Sequence, residues 1–100
     1  MPRRRKDKVD SNQPEIVKLL LDIPGISVEV GHDDILVGYR HETYWYEIKN
    51  PDTVSKKTGK ILDSAKKDCQ IKLEKEWRGH YKIVASLEDI LDDLFIKRWY

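Results

Sequence analysis

Three residues whose types and spacing can do chemistry stand in one short stretch, GHDDILVGYRHETYWYEIKN from Gly31 to Asn50: Asp34, Glu47 and Lys49. The stretch reads as two β-strands, about Asp34 to Arg40 and about Thr43 to Lys49, joined by a turn at Arg40, His41 and Glu42. Ile35, Leu36, Val37, Tyr44, Trp45, Tyr46 and Ile48 are β-branched, aromatic or bulky types that suit a pleated, half-buried surface. In an antiparallel hairpin the start of one strand lies beside the end of the next, so Asp34 and Glu47 are expected to be neighbours. Alternation puts Glu47 and Lys49 on one face and Ile48 on the other. Two adjacent carboxylates repel each other and are costly to bury unless something cationic compensates. A divalent cation does this, and oxygen ligands are what Mg²⁺ prefers. Lys49 is then placed to steady a nucleophilic water or an anionic transition state. That chemistry is metal-dependent hydrolysis of a phosphodiester. The plainer alternative is a solvated strand face with Asp34 as a turn residue, because a D…ExK pattern arises by chance in small charged domains.

The elements that must position these residues follow from periodicity. From Ser11 to Ile23 the apolar residues Ile16, Leu19, Leu20 and Ile23 recur at helical spacing, with Asn12 as expected N-cap, Pro14 in the first turn and Pro24-Gly25 as the stop. Glu15, three residues after Asn12, reads on spacing alone as the acidic member of a capping box. Ile26 to Val30 alternates like a strand, and Gly31 marks a turn or a close backbone approach. After the hairpin, NPDTVSKKTG (Asn50 to Gly59) is a loop by composition; with Lys56, Lys57 and Lys60 it forms a basic, flexible flap. A long helix follows, with Leu62, Ala65, Cys69, Leu73 and Trp77 as its buried stripe, Lys66 and Lys67 as further basic ground, and Gly79 as its end. Tyr81 to Ala85 reads as a fourth strand. Ser86 caps a last helix with the stripe Leu87, Ile90, Leu91, Leu94 and Phe95. The order is α-β-β-β-α-β-α, an α/β domain with a mixed four-stranded sheet and a parallel crossover through the second helix.

One hundred residues, 37% charged and 39% hydrophobic, make one domain with a modest core. No apolar run approaches a membrane span and no signal peptide follows the basic start, and with Cys69 as the one cysteine no internal disulfide forms. A cytoplasmic, intracellular location is expected. Residues 1–10 form a basic, flexible arm in which Arg3, Arg4, Arg5, Lys6 and Lys8 face only Asp7 and Asp10, which leaves the body mildly acidic. Such an arm either lies along phosphates or serves as a solubilising tail. His32, His41 and His80 lack metal-ligand spacing and read as surface groups, with His32, beside Asp33 and Asp34, as a lesser site candidate. Cys69 carries no nucleophile signature, and no glycine-rich phosphate loop or zinc pattern is present.

The succession of a helix with Glu15, a strand, Asp34, a strand with Glu47-Ile48-Lys49, a helix and a strand resembles the PD-(D/E)XK nuclease superfamily. It is most similar to the small stand-alone phage and bacterial nucleases of the VRR-NUC type. Those carry a PDLLVG-like strand, an E(V/I)K strand, a Q-x-x-F-x-x-x-W-x-G helix and a Ser-x-(E/D)-(E/D) helix start. Here Asp33 to Gly38, Glu47 to Lys49, Gln70, Leu73, Trp77 and Gly79, and Ser86, Glu88 and Asp89 stand in those places. The resemblance covers roughly residues 11 to 95. It implies that Asp34, Glu47 and the backbone carbonyl of Ile48 bind Mg²⁺ or Mn²⁺, and that Lys49 orients water or stabilises the pentacovalent phosphate. It implies further that Glu15 completes the acidic pocket and Gln70 braces it. Two departures are Asp33 in place of the motif's proline and Leu73 in place of an aromatic.

The expected function is a Mg²⁺- or Mn²⁺-dependent endonuclease on DNA. The substrate stays open between a Holliday junction or other branched DNA, a flap, a nick and plain duplex. Arg3, Arg4, Arg5, Lys56, Lys57, Lys60, Lys66 and Lys67 are the expected phosphate contacts. With one site per chain, cutting two strands symmetrically calls for a homodimer or two separate events. Trp99, Tyr100 and the apolar face of the last helix are the candidate contacts. The rival functions are a catalytically inactive nucleic-acid-binding module of the same fold, and an interaction protein in which the carboxylates and Lys49 form an ion-pair network.

Overall fold

In the computed structural model, residues 12–32 and 34–96 are described; the basic arm with Arg3, Arg4 and Arg5, together with Asp33, Trp99 and Tyr100, lies outside them. The hairpin that carries Asp34 and Glu47 forms the middle of a four-stranded sheet. Its strands are β1 (Ile26–Val30), β2 (Asp34–Tyr39), β3 (Glu42–Ile48) and β4 (Tyr81–Val84), in the order β1-β2-β3-β4. β1, β2 and β3 pair antiparallel, and β4 lies parallel to β3. A parallel neighbour needs a crossover, and helix α2 (Asp68–Glu76) supplies it, packing against β4. The fold is the mixed four-stranded α/β arrangement that the sequence predicts.

The two faces of the sheet have different fates. Ile26, Ile35, Val37, Tyr44, Tyr46, Ile48 and Val84 alternate onto one face and are buried there. Helix α1 (Gln13–Leu21) brings Ile16 and Leu20 to that face, and α3 (Leu87–Leu91) with its π-helical continuation (Asp92–Ile96) brings Ile90 and Leu94. Ile90 and Leu94 of the last helix are thus buried in the core, and Leu87, Leu91 and Phe95 are partly buried against it. Strand parity puts Asp34, Leu36, Trp45, Glu47, Tyr81 and Ile83 on the other face. The short α2 approaches that side, where Trp77 at its end touches Trp45 edge to face at 5.5 Å.

Several elements depart from expectation for identifiable reasons. The hairpin turn is two residues, with Tyr39 opposite Glu42, and Arg40 and His41 both lie at positive φ (54° and 65°). That is the turn whose twist matches the flanking strands. Asn12 makes no side-chain cap; its amide instead donates to the carbonyls of Lys49 (3.1 Å) and Ala85 (3.0 Å). Those carbonyls stand where β3 and β4 run out of ladder partners, so Asn12 supplies the missing donors and pins the start of α1 to the strand ends. The long second helix is in fact two pieces, a 3₁₀ turn (Asp63–Ala65) and α2, because Lys66 and Lys67 are extended between them. The break resets the helical phase. Leu62, Cys69 and Trp77 are consequently exposed, while Gln70 is buried.

The basic flap is a small hydrogen-bonded hairpin rather than an unstructured loop. Val54 bridges Ile61, Ser55 N–H donates to the Lys60 carbonyl at 2.8 Å, and the Ser55 hydroxyl accepts from the Lys57 and Thr58 amides. Ser86 caps α3 as expected, accepting from Asp89 N–H at 3.2 Å, while Asp89 accepts from Ala85 N–H. Among the described residues no helix is long and apolar enough to cross a membrane.

Candidate active site

Strand register brings the two carboxylates together. Asp34 and Glu47 are direct cross-strand partners, and opposed residues in an antiparallel pair project to the same side about 5 Å apart. Glu47 is only 7% exposed, so both carboxylates need donors. Asp34 Oδ2 accepts from the indole Nε1–H of Trp45 at 2.8 Å, and Glu47 Oε1 accepts from the Tyr81 hydroxyl at 3.3 Å. Burial, then the Glu47 charge, push the Tyr81 phenol well above the usual tyrosine range, so it remains a protonated donor. Lys49 continues the line past the strand end, its N–H still donating to the Val84 carbonyl at 2.8 Å. The Ile48 side chain is fully buried on the opposite, core face.

A tight glycine fixes the other side of Asp34. Gly31 N–H donates to the Asp34 carbonyl at 2.8 Å, and a Cβ on Gly31 would stand 2.1 Å from Asp34 Oδ1. Only glycine leaves room for that carboxylate oxygen. Gln13, 7% exposed in the first turn of α1, donates from Nε2 to the Gly31 carbonyl at 3.3 Å. Its buried Oε1 has no hydrogen-bond partner among the described residues. The N-terminal turn of α1 thus meets the sheet where β1 ends and β2 begins, beside Asp34.

The remaining expected site residues are distributed as follows. Glu15 lies exposed in the first turn of α1. Among the described residues no three His, Cys, Asp or Glu side chains gather into a group that could hold a metal ion. Gln70 is buried at 4% exposure, and its Oε1 accepts the Lys67 backbone N–H at 3.0 Å. That bond closes the start of α2. Lys56, Lys57 and Lys60 are exposed on the small hairpin and Lys67 at the start of α2. Lys66 is engaged elsewhere, paired with Glu74 at 3.1 Å and more distantly with Asp63 at 3.9 Å.

The donor set suits a hard divalent cation. It consists of two carboxylates on one sheet face, Asp34 and Glu47. Mg²⁺ sites commonly use one or two carboxylates and keep several waters. No family model, curated protein or solved structure matches the chain.

Trp45, Tyr81, Gly31 and Gln13 were not legible as site residues, although Trp45 shares strand parity with Glu47 and was within reach of that reasoning. His80 corrects a second expectation, because it is no surface group. Its Nδ1 accepts the Trp45 backbone N–H at 3.2 Å, its Nε2 bonds Asp93 Oδ2, and Tyr46 donates its hydroxyl to the same oxygen at 2.7 Å. Burial raises the Asp93 carboxyl, but the bonds from His80 and Tyr46 outweigh it and hold Asp93 below the usual carboxylate range. This network ties β3 to the start of β4 and the end of α3, behind the carboxylate face.

Proposed function

We propose that the protein is a Mg²⁺- or Mn²⁺-dependent endonuclease that hydrolyses DNA phosphodiester bonds, of the PD-(D/E)XK type that the sequence resembles. The observation that carries the reading is the register Asp34 opposite Glu47, with Lys49 two residues on, just past the end of the strand. Asp34 and Glu47 would hold the cation, with the carbonyl of Ile48. Bound there, it would neutralise charge on the scissile phosphate and acidify a water. Trp45 and Tyr81 orient the carboxylates, since each donates to one of their oxygens. Such outer partners fix ligand geometry as much as the ligands do. Lys49 would bring its ammonium to the attacked phosphate, where it would favour the extra negative charge of the transition state over the ground state. The exposed Lys56, Lys57, Lys60 and Lys67, with Arg3, Arg4 and Arg5, supply phosphate contacts that set affinity and its salt dependence. The reaction belongs in the cytoplasm, where DNA and Mg²⁺ are both at hand.

Branched DNA, including a Holliday junction, is the substrate class we propose, cut by a homodimer where two strands are severed together. The reading is tested by calorimetric titration with Mn²⁺ of the wild type and of Glu47→Gln, which keeps an oxygen for Tyr81 but removes the charge. The wild type is expected to show a saturable site with a rise in melting temperature, and the variant to lose both. Equal titrations would contradict the site. A chain in which the carboxylates and Lys49 are merely an ion-pair network shows no saturable heat at all.

A further inference from the structure

The sheet face that carries the carboxylates also carries an aromatic strip whose ring faces have no part in the metal chemistry. Trp45 bonds Asp34 through its indole N–H, and Tyr81 bonds Glu47 through its hydroxyl, so the polar ends of both rings are spent on the site. Their faces form a chain of edge-to-face contacts, with Tyr81 to Trp45 at 4.8 Å and Trp45 to Trp77 at 5.5 Å. Trp77 ends the chain and is 51% exposed, where a core-packing tryptophan would be covered. Leu36, the cross-strand partner of Trp45, is 42% exposed on the same face and extends the apolar ground. On α2 and its exit Lys72, Lys75 and Arg78 are exposed, interspersed with Asp68, Glu74 and Glu76, of which Glu74 is engaged by Lys66.

An exposed aromatic platform with lysine and arginine side chains along the adjoining helix, joined to the carboxylate pair, suits one kind of ligand. A duplex offers it only sugar and phosphate, because the faces of paired bases are covered by their neighbours. An unpaired nucleotide offers a free π-face for the ring and a phosphate for the cations, which is the recognition used by single-strand-binding grooves. We infer that Trp77, backed by Trp45, is a stacking site for an unpaired base of the substrate strand next to the scissile phosphate. The substrates favoured are then those with a single-stranded nucleotide at the cut, a flap or an opened branch point, over continuous duplex. This rests on the nuclease reading for what is cut, but not for what is bound.

The test is fluorescence anisotropy in EDTA with a labelled twelve-nucleotide oligothymidylate and with a labelled blunt duplex of the same length. Wild type, Trp77→Phe and Trp77→Leu are compared, their folding checked by melting curves. Phenylalanine keeps a ring to stack on; leucine keeps apolar cover over Gly79 but has no π-face. Trp77→Leu is expected to bind the single strand about tenfold more weakly, the weight of one base–aromatic stack, Trp77→Phe close to wild type, and duplex affinity to stay the same in all three. Equal single-strand affinity in wild type and Trp77→Leu would overturn the inference, as would a parallel loss on duplex and single strand. Absence of cleavage in Mg²⁺ or Mn²⁺ with the Trp77 pattern intact would remove the nuclease reading and leave the stacking site standing.

Discussion

Replacing Gly31 by alanine perturbs the site without replacing any residue proposed to do chemistry. The added Cβ would lie 2.1 Å from Asp34 Oδ1, whereas ordinary contact begins at 3.4 Å, so the oxygen must retreat by about 1.3 Å. The carboxylate is also held from its other oxygen by the Trp45 indole at 2.8 Å. A shift of that size stretches the bond beyond hydrogen-bonding range. Losing a hydrogen bond to a charged group costs about 1.5–3 kcal/mol, and Asp34 no longer faces Glu47 squarely. Supporting contacts around metal ligands typically contribute about 10–100-fold in affinity, so Mn²⁺ binding by Gly31→Ala is expected to weaken by that factor. Paired measurements decide it, a urea unfolding curve without metal and a calorimetric titration with Mn²⁺. A variant that unfolds within about 0.5 kcal/mol of wild type and binds Mn²⁺ equally well would show that Asp34 is not held in place by this contact.

Two further outcomes follow from the turn and from the histidine network. His41→Gly, at φ 65° in the two-residue turn, is expected to stabilise the fold by about 1 kcal/mol by relieving a left-handed conformation; an unchanged or lower denaturant midpoint would contradict this. Asp93 has a lowered carboxyl pKa, so its contribution is full above the unfolded value near 3.8 and is lost as pH falls through the lower folded value. Melting temperatures from pH 2 to 7 should therefore show Asp93→Asn less stable than wild type at neutral pH, with the gap closing below about pH 4. A gap that is constant with pH would mean that the Asp93 charge is not what the network uses.

The carboxylate pair was legible because strand alternation and hairpin geometry are short-range rules, and Asp34 and Glu47 sit on one hairpin. Their donors were less so. Trp45 needed only parity, but Tyr81 reaches Glu47 through a parallel neighbour whose register no local pattern encodes. Gln70 and Lys66 show the limit of periodicity. The apolar residues from Leu62 to Trp77 fit a single helical stripe, yet two extended residues, Lys66 and Lys67, shift the phase and bury Gln70 in place of Cys69. Asn12 has the right type for a cap, but the carbonyls of Lys49 and Ala85 orient its side chain through Nδ2, and Oδ1 accepts no helix N–H. Such tertiary acceptors, and the link from His80 to Asp93 across the end of α3, depend on how separate elements dock and leave no local trace in the chain.

The central claim is that Asp34, Glu47 and Lys49 form a hydrolytic site. It is tested most directly by one assay on wild type and Lys49→Ala, cleavage of labelled flap, junction and duplex DNA in Mg²⁺, with affinity for the same DNAs measured in Ca²⁺. The wild type is expected to cut. Lys49→Ala is expected to bind equally well but cut about 10²–10³ times more slowly, the usual loss for one preorganised charge acting on the transition state. A Lys49→Ala protein that cuts as fast as wild type, or a wild type that cuts none of these DNAs, would contradict the account.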